Sequence, residues 1–481
     1  MRLPLITRLL GLFLIIFAGS LLPPAAIAWY TADGQLKNFL LSQGLLILLG
    51  LLFWLPSRRQ TGNLRIREAF VVVSLFWTTI GLTAALPLYL GLDLSITDAA
   101  FEAVSGFTTT GATVLTGLDS LPPSILMYRQ QLQWLGGAGV VVLAIAILPM
   151  LGVGGMQLFR AETAGPMKDE KITPRIAHAA RALWVIYVSF TIACALAYWL
   201  AGMSAFDAIA HSFSTVSTAG FSTHDASLAH FDSLAIEIIA IVFMLLGGIS
   251  FNVHFLALRM RKGTIYWRDT QTLVFLSIVA VLMLIITATL YLTGQYPDLG
   301  TALRMGAFQA TSVLTTTGFS TDNYSIWPLF LPVLLIFASF IGGCAGSTAG
   351  GMKVIRFIIL AKEGSRELWR LLHPSIVRPI KLGGRALPDR VVDAVWGFFA
   401  LYIATFALLM LLLMATGVDQ ITAFGAVAAS LNNLGPGLGG VGLNFAGLNN
   451  TATWLCTLAM LLGRLEIFTL LALLSPIFWR K

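Results

Sequence analysis

Charged residues are scarce in this 481-residue chain: Asp, Glu, Lys and Arg together make up 11% of it, whereas hydrophobic residues make up 57%. A soluble globular domain carries more charge on its surface, so the composition excludes that class of protein. Runs of about 18 or more apolar residues recur, and such a run is long enough to cross a bilayer as a helix. The sequence therefore predicts an all-α polytopic membrane protein.

The chain also lacks the motifs that carry enzyme chemistry. No Walker motif, dinucleotide-binding glycine fingerprint or catalytic triad occurs, so we expect neither an enzyme nor an organic cofactor. The three cysteines, Cys194, Cys344 and Cys456, lie in apolar segments at spacings that match no zinc motif, which predicts neither a disulfide nor a metal site from them. The net charge of +8 follows from membrane topology, so we expect no nucleic-acid partner.

Ten hydrophobic segments are long enough to be spanning helices in the lipid bilayer. They run approximately over 8–30, 37–56, 69–91, 129–151, 182–202, 233–258, 271–294, 327–360, 391–416 and 451–478. The last eight form four pairs. We therefore divide the chain into two N-terminal helices at 1–60 and four repeats at 61–160, 161–262, 263–385 and 386–481.

Between the paired helices of each repeat lies a shorter segment, near 95–108, 204–216, 301–315 and 419–432. A crossing takes about 20 residues, so these segments are predicted to enter the membrane part-way and return as re-entrant pore helices. Each ends in a turn that is rich in Ser, Thr or Asn around one glycine. The four turns are Thr108-Thr109-Thr110-Gly111, Ser217-Thr218-Ala219-Gly220, Thr315-Thr316-Thr317-Gly318 and Asn432-Asn433-Leu434-Gly435.

The chemistry of these turns favours a monovalent cation. Ion-selectivity filters replace a cation's hydration shell with backbone carbonyls, and a backbone that aligns its carbonyls needs dihedrals that glycine adopts freely. Irregular backbone at membrane depth is tolerated only inside protein or along a water-filled cavity. No turn carries a carboxylate, which a calcium-selective pore would be expected to use. The Thr or Asn two positions before each glycine can either lend an oxygen to the cation or hold the turn.

Acidic residues mark the start of the pore helices. Asp98 and Asp207 are predicted at the N-termini of the first two, and Asp298 and Asp419 lie slightly earlier in the other two. The helix macrodipole stabilises an acid there and turns the negative C-terminal end toward the cavity, which favours a cation. Ordinary helix capping alone would also explain these aspartates.

The basic residues predict the orientation of the chain. All but four of the 30 Lys and Arg residues fall in the terminal tails or the even-numbered loops, and the exceptions are Lys37, Arg129, Arg304 and Arg464. The positive-inside rule then places both termini in the cytoplasm and the four glycine turns toward the outside. The first 30 residues also resemble a signal peptide, but we favour an uncleaved first helix, because the topology closes with it retained.

Two features on the cytoplasmic side of the turns are unusual in a spanning helix. Five glycines between positions 342 and 351 each cost about 1 kcal/mol relative to alanine, so this run is not expected to stay helical. A small-residue helix-packing face is the alternative. Arg464 is predicted inside the last helix, where an ionisable residue suggests function, and an interhelical ion pair is the alternative. We interpret Glu102 and Arg304, in the pore helices, as structural residues that brace neighbouring repeats.

At the four turns the chain resembles the Trk/Ktr/HKT superfamily of potassium transporters, and within it the bacterial Trk-type membrane subunits, over essentially its whole length. The resemblance is carried by Thr109-Thr110-Gly111-Ala112-Thr113, Thr218-Ala219-Gly220-Phe221-Ser222, Thr316-Thr317-Gly318-Phe319-Ser320 and Asn433-Leu434-Gly435-Pro436-Gly437. It implies four non-identical helix–pore helix–filter–helix repeats around a central pore, plus the two extra N-terminal helices of the Trk branch. Glycine at all four filter positions goes with potassium preference in this family.

The family resemblance also implies which residues act. Potassium, the permeant ion, would be bound mainly by backbone carbonyls of Thr109, Thr110, Gly111, Ala112, Thr218, Ala219, Gly220, Phe221, Thr316, Thr317, Gly318, Phe319, Asn433, Leu434, Gly435 and Pro436. An intramembrane loop containing Gly342, Gly343, Gly346, Gly350 and Gly351 would gate the path, together with Arg464.

The implied partners are a second copy of the chain, forming a homodimer, and a cytosolic TrkA-like nucleotide-binding subunit. The leading hypothesis is potassium uptake across the bacterial inner membrane. A secondary transporter with inverted repeats is a rival, but it would give the repeats opposite orientations. A sodium- or proton-coupled symporter and a poorly selective cation channel also stay open, whereas a membrane scaffold would have no need of four such turns.

Overall fold

The computed structural model of the chain describes residues 1–59, 65–146, 172–383, 385–474 and 476–479. In these ranges the protein is almost entirely helical, which confirms the predicted all-α class. Two-residue strands β1 (Lys381–Leu382) and β2 (Arg385–Ala386) pair antiparallel in one connecting loop. The proposed boundary between the third and fourth repeats falls inside β2, and the boundaries at 60/61 and 160/161 lie outside the described residues.

The helices are numbered here along the chain. They are α1 (Leu3–Gly19), α2 (Leu22–Thr31), α3 (Leu36–Ser57), α4 (Ile66–Thr83), α5 (Ala85–Gly91), α6 (Ile96–Phe107), α7 (Pro123–Ala146), α8 (Ile172–Leu200), α9 (Ala205–Val216), α10 (Leu234–Gly248), α11 (Phe251–Met260), α12 (Thr270–Leu292), α13 (Leu299–Leu314), α14 (Leu331–Ile341), α15 (Val354–Leu372), α16 (Asp389–Ala415), α17 (Gln420–Leu431), α18 (Asn450–Arg464), α19 (Phe468–Leu474) and α20 (Pro476–Trp479). Within the described ranges, six spans are long and apolar enough to cross a membrane, or seven if the bent pair α10–α11 counts as one.

The predicted spans hold for the first helix of each repeat, whereas the second helix is broken in repeats 2, 3 and 4. The end of the span predicted over 129–151 lies outside the described residues. The pair α10–α11 bends by 93°, where a straight helix was expected over 233–258. The segment 327–360 is broken between α14 and α15, as its glycines predicted, and 451–478 is broken after Arg464, which was not predicted. These second helices face the protein interior, where neighbouring repeats can satisfy backbone groups that a break leaves unpaired.

The four short helices α6, α9, α13 and α17 occupy the places predicted for re-entrant segments. The second long helix of one repeat packs on the short helix of the next: α7 on α9, α10 on α13, α14 on α17, and α18 back on α6. This order closes a ring of four repeats. All four short helices stand in the same relation to the preceding repeat, which favours repeats of one orientation over an inverted pair.

Capping accounts for the aspartates at the start of the short helices. Ser95 and Ser204 are the N-caps of α6 and α9, and each accepts a hydrogen bond from the backbone N–H of Asp98 or Asp207. Asp298 and Asp419 are themselves the N-caps of α13 and α17. Asp98 and Asp207 are thus third-position partners in a capping arrangement and not the first residues of their helices.

The two N-terminal helices lie beside the first repeat. Helix α1 packs along α3 and against α4, while α2 packs on α7. Glycines allow the close approach of α1 to α3, because a Cβ at Gly11 would lie 2.6 Å from the carbonyl oxygen of Gly50. Gly44, also on α3, has open space where its Cβ would be.

We predict that Gly11→Ala lowers the melting temperature of the detergent-solubilised protein, whereas Gly44→Ala does not. The new methyl group at position 11 meets backbone atoms of α3 that cannot give way, and such overpacking costs about 1–3 kcal/mol. Alanine at position 44 meets nothing within 4 Å and is the better helix former. Equal melting temperatures for the two variants would show that α1 and α3 do not pack at Gly11.

Candidate functional site

Each short helix ends in the glycine turn that follows it: turn 1 (108–111), turn 2 (217–220), turn 3 (315–318) and turn 4 (432–435). In all four, two hydrogen bonds close the helix end in the same way, as in turn 1, where Thr109 N–H donates to the Gly106 carbonyl and Thr110 N–H to the Ser105 carbonyl. This is the Schellman motif, whose left-handed residue is usually glycine.

Here the left-handed position of that motif is never glycine. Four residues share φ values of 51° to 56°, and they are Thr109, Thr218, Thr316 and Asn433. The glycine two residues later is left-handed as well, with φ between 79° and 99° at Gly111, Gly220, Gly318 and Gly435. A β-branched residue with positive φ is a strained outlier, at a cost of about 1–3 kcal/mol. Threonine carries this strain in three of the four turns, whereas asparagine in turn 4 adopts the left-handed conformation more readily. The repeated strain indicates that a side chain able to form hydrogen bonds is needed at this position.

The glycines fit together in a closed ring. In each turn a Cβ on the glycine would collide with the carbonyl oxygen of the residue before the glycine of the next turn. The distances are 2.1 Å from Gly111 to Ala219, 1.9 Å from Gly220 to Thr317, 2.1 Å from Gly318 to Leu434 and 2.9 Å from Gly435 to Thr110. The turns are therefore neighbours in the order 1–2–3–4–1, and any side chain at a glycine position would push two turns apart.

One cavity of about 340 Å³ opens on this ring, and all four glycines line it. The residues that follow them, Ala112, Phe221 and Pro436, line it too, together with Arg129. Phe319, by contrast, is 1% exposed and packs in an apolar cluster. The turns thus form the floor of the cavity. The chain runs from each glycine toward that cavity.

The side chains two positions before the glycines form different hydrogen bonds. Thr218 Oγ1 donates to Thr348 Oγ1 at 3.0 Å, Thr316 Oγ1 accepts from the Gly350 N–H at 2.6 Å, and Asn433 Nδ2 donates to Thr110 Oγ1 at 2.9 Å. These three hold the turns or the loop beneath them. Thr109 Oγ1 is buried without a hydrogen-bond partner among the described residues, so all of its hydrogen-bonding capacity is left for a ligand.

Some carbonyls of the predicted site already accept hydrogen bonds from side chains. Ser312 Oγ donates to the Phe319 carbonyl at 2.6 Å, and the Tyr324 hydroxyl donates to the Pro436 carbonyl at 3.0 Å. Gln133 Nε2 donates to the Ala219 carbonyl at 2.8 Å, while its Oε1 accepts from the Phe221 N–H at 3.1 Å. Sequence reasoning missed Gln133, although a glutamine in an apolar spanning segment is a signal that could have found it.

The glycine loop, defined as residues 342–351 between α14 and α15, lies against the opposite side of the turns. Besides the bonds to Thr218 and Thr316, the Gly351 N–H donates to the Asn432 carbonyl at 3.0 Å. A Cβ at Gly350 would lie 2.1 Å from that same carbonyl. The loop therefore contacts turns 2, 3 and 4, and small residues are required for it to come so close.

The bend between α10 and α11 supplies anchors for the glycine loop. Breaking the helix after Gly248 leaves carbonyls without their helical donors. Cys344 N–H donates to the Gly248 carbonyl at 2.9 Å, and Thr348 N–H donates to the Gly247 carbonyl at 3.2 Å. Gly342, Gly346 and Gly351 adopt positive φ, at 69°, 76° and 72°. The predicted departure from regular helix at this glycine run is confirmed.

Arg464 is the last residue of α18 and not an interior residue of a longer helix. Its Nη1 donates to the carbonyl of Thr348 in the glycine loop at 3.1 Å, and its guanidinium lies 5.5 Å from the centroid of the Trp77 ring. Nε and Nη2 are buried and have no hydrogen-bond partner within the described ranges. No acid among the described residues forms a salt bridge with it, because Glu466 pairs with Arg356 at 2.5 Å. The ion-pair alternative is therefore wrong for the described part of the chain.

Glu102 and Arg304, which we interpreted as bracing residues, each form an ion pair with a residue on another helix. The partner of Glu102 is the buried Arg129 of its own repeat, whereas Arg304 is only partly buried. Arg129 Nε donates to Glu102 at 2.8 Å, and Arg129 Nη1 donates to the Ser222 carbonyl at 3.2 Å, which joins the first repeat to the second. Arg304 on α13 pairs with Glu237 on α10 at 2.8 Å, which joins the third repeat to the second.

A sequence model of the TrkH cation transport protein family matches residues 35–480. The chain belongs to this family. The TrkH potassium uptake protein of Salmonella typhimurium is 53% identical over 99% of both chains, and the TrkG potassium uptake protein of Escherichia coli is 39% identical over 99% of this chain and 98% of its own. The crystal structure of the potassium transporter TrkH from Vibrio parahaemolyticus superposes with a TM-score of 0.94 at 51% identity, covering all of both chains.

These likenesses confirm the predicted family and class. The TrkH family consists of transport proteins and not enzymes, and the apolar spans fit a multi-pass membrane protein. Membership fixes the fold over the whole length, since the solved relative covers the entire chain. What the glycine ring, the glycine loop and Arg464 do in this chain is a separate question.

We predict that Arg129→Gln destabilises the protein by about 3–5 kcal/mol, because it leaves Glu102 buried and charged without its partner. The matched control is Arg370→Gln, which breaks a pair with Glu367 whose side chains are 42% and 51% exposed. An exposed pair contributes at most about 1 kcal/mol, so this variant should unfold like the parent. Thermal unfolding in detergent compares them, and an equally small shift for both would mean that the Glu102–Arg129 pair is dispensable.

Proposed function

We propose that the chain is the membrane subunit of a potassium uptake system in the bacterial inner membrane, and that the ring of four glycine turns is its selectivity filter. The observation that carries this proposal is the closed contact of the four turns beneath one shared cavity. The curated relatives that support it are named potassium uptake proteins. The basic loops and both termini then face the cytoplasm, and the cavity faces outside.

In this proposal a hydrated cation enters the cavity and exchanges its water for oxygens of the turns. The left-handed residues and glycines let successive carbonyls face the ion, and the Thr109 hydroxyl adds one side-chain oxygen. All of these ligands are neutral, which suits a singly charged ion. The hydrogen bonds from Gln133, Ser312 and Tyr324 hold the turns in place, so the ring resists collapse around a smaller ion.

The glycine loop and Arg464 form the gate in this proposal. The loop is bonded to the inner side of turns 2, 3 and 4, where an ion would leave the filter. Arg464 holds the loop at the Thr348 carbonyl and keeps a positive charge beside the path without an acid to neutralise it. A cation passing inward therefore meets a backbone obstruction and a repelling charge together.

A cytosolic nucleotide-binding subunit of the TrkA type is the proposed regulator, and a homodimer is the proposed assembly. The relatives are named as parts of a Trk system, which supports a second component. The chain itself shows no nucleotide-binding motif, so we assign nucleotide binding to a partner. Coupling to sodium or protons is the alternative mechanism. Measuring transport with and without a sodium or proton gradient decides between the two.

The filter is tested by Gly318→Ser beside Gly294→Ser, in liposomes that contain the purified protein. Both glycines have positive φ, 81° and 69°, but a Cβ at Gly318 meets the Leu434 carbonyl at 2.1 Å whereas one at Gly294 meets nothing within 4 Å. We expect Gly318→Ser to lose at least about tenfold in rubidium-over-sodium preference, equivalent to about 1.4 kcal/mol, while Gly294→Ser keeps it.

Tracer influx of rubidium and sodium, with potassium as competitor, gives that preference directly. If the parent protein does not prefer rubidium, or if Gly318→Ser behaves like Gly294→Ser, the turns are structural and the filter proposal fails.

The gate is tested by replacing Arg464 with an uncharged or a charged residue. We expect Arg464→Gln to raise the initial rate of rubidium influx by about tenfold for every 1.4 kcal/mol of barrier removed, and Arg464→Lys to stay near the parent rate. The charge is the property under test, since both variants keep a hydrogen-bond donor. A fall in rate for Arg464→Gln in correctly folded protein would argue for a purely structural arginine.

A further inference from the structure

Three side chains that can bind a metal come together at the outer rim of the cavity. They are Asp119, His224 and His230, and each offers a ligand atom within 4.8 Å of the others. Asp119 lies in a short 3-10 helix after turn 1 (Leu118–Ser120), and both histidines follow turn 2. The filter and the gate proposed above make no use of any of the three.

The contacts within this cluster are short. His224 Nδ1 lies 2.5 Å from Asp119 Oδ1, and the ring centroids of His224 and His230 are 3.5 Å apart with the rings nearly parallel. Asp119 and His230 are exposed, so an ion in solution can reach them.

A second carboxylate faces the other nitrogen of His224. Nε2 is buried without a hydrogen-bond partner among the residues that the structure describes, and Asp207 Oδ1 lies 3.6 Å from it. Asp207 is fixed in place by hydrogen bonds from Ser204 and Thr223, at 2.7 and 2.8 Å. A proton on Nε2 that points toward Asp207 leaves the lone pair of Nδ1 free for a metal. Carboxylates orient metal-binding histidines in this way.

We propose that Asp119, His224 and His230 form a binding site for a divalent transition-metal ion of the zinc type, accessible from outside the cell. Two imidazoles and one carboxylate, completed by water, suit Zn²⁺, whereas Mg²⁺ and Ca²⁺ prefer all-oxygen sites. On binding, the ion replaces the hydrogen bond between His224 Nδ1 and Asp119, and the ring proton moves to Nε2, beside Asp207. The stacked rings of His224 and His230 have to tilt toward one another to bind the same ion.

Binding here affects ion entry, a consequence that rests on the proposed function. His224 lines the same cavity as the four filter glycines. A bound dication adds two positive charges at its rim and repels an approaching cation. It also ties the loop after turn 1 to the loop after turn 2. External zinc therefore slows uptake by this protein.

The binding step is tested on the purified, chelator-treated full chain by calorimetric titration with ZnCl₂. We expect one Zn²⁺ per chain, with affinity lowered about tenfold or more by His230→Gln and by Asp119→Asn. His373→Gln is the matched control, because His373 is an exposed histidine in another part of the chain and should leave the affinity unchanged. No binding by the parent, or equal binding by all variants, would overturn the proposal.

The transport step is tested in liposomes by adding ZnCl₂ outside and comparing each variant with its own zinc-free rate. Zinc should slow rubidium influx for the parent and His373→Gln, but not for His230→Gln. Zinc that binds at the cluster without changing influx would refute the effect on entry and leave the site. Absence of rubidium influx in every sample, with binding intact, would count against the proposed function and not against the metal site.

Discussion

The contact of each glycine with a carbonyl of the next turn is the constraint on which the rest of the structure depends. With Cβ distances near 2 Å in three of the four contacts, no larger residue fits between neighbouring turns. Eight residues must also hold positive φ at once, four of them not glycine. Strain of this kind persists only where surrounding packing over-determines it. The packing comes from the repeats themselves, because the second long helix of each rests on the short helix of the next.

The parts of this arrangement that form within one repeat could be predicted from the sequence, whereas the parts that form between repeats could not. The four turns and their short helices follow from a pattern within each repeat, as the nearly coincident bounds of α9 with the predicted 204–216 show. The 93° bend after Gly248 does not, because a bent and a straight helix can have the same apolar composition. Its freed carbonyl is satisfied by Cys344, almost a hundred residues away, and such a partner is invisible to local periodicity.

The exceptions to the charge rule separate structural arginines from a functional candidate. Arg129 and Arg304 lie outside the basic loops, and each is neutralised by an acid at 2.8 Å, so the pair costs far less than either charge alone. Arg464 has a carbonyl and the neighbouring Trp77 ring but no acid among the described residues, where two of its nitrogens also lack a hydrogen-bond partner. A buried charge without a counter-ion is expensive to keep, and its use as a barrier to cations explains why it would be kept.

The way the glycine loop is held fits an element that moves. A large buried apolar side chain contributes about 1.5–3 kcal/mol, whereas one hydrogen bond contributes about 1 kcal/mol net. The loop is attached mainly by hydrogen bonds, to the carbonyls of Gly247, Gly248 and Asn432 and to the side chains of Thr218 and Thr316. In the proposed gate, water entering an opened path would replace each of these bonds, so the open position of the loop would differ in free energy from the closed one by only a few kcal/mol. A cytosolic partner that binds the open position more tightly than the closed one by that free energy can shift the proposed gate.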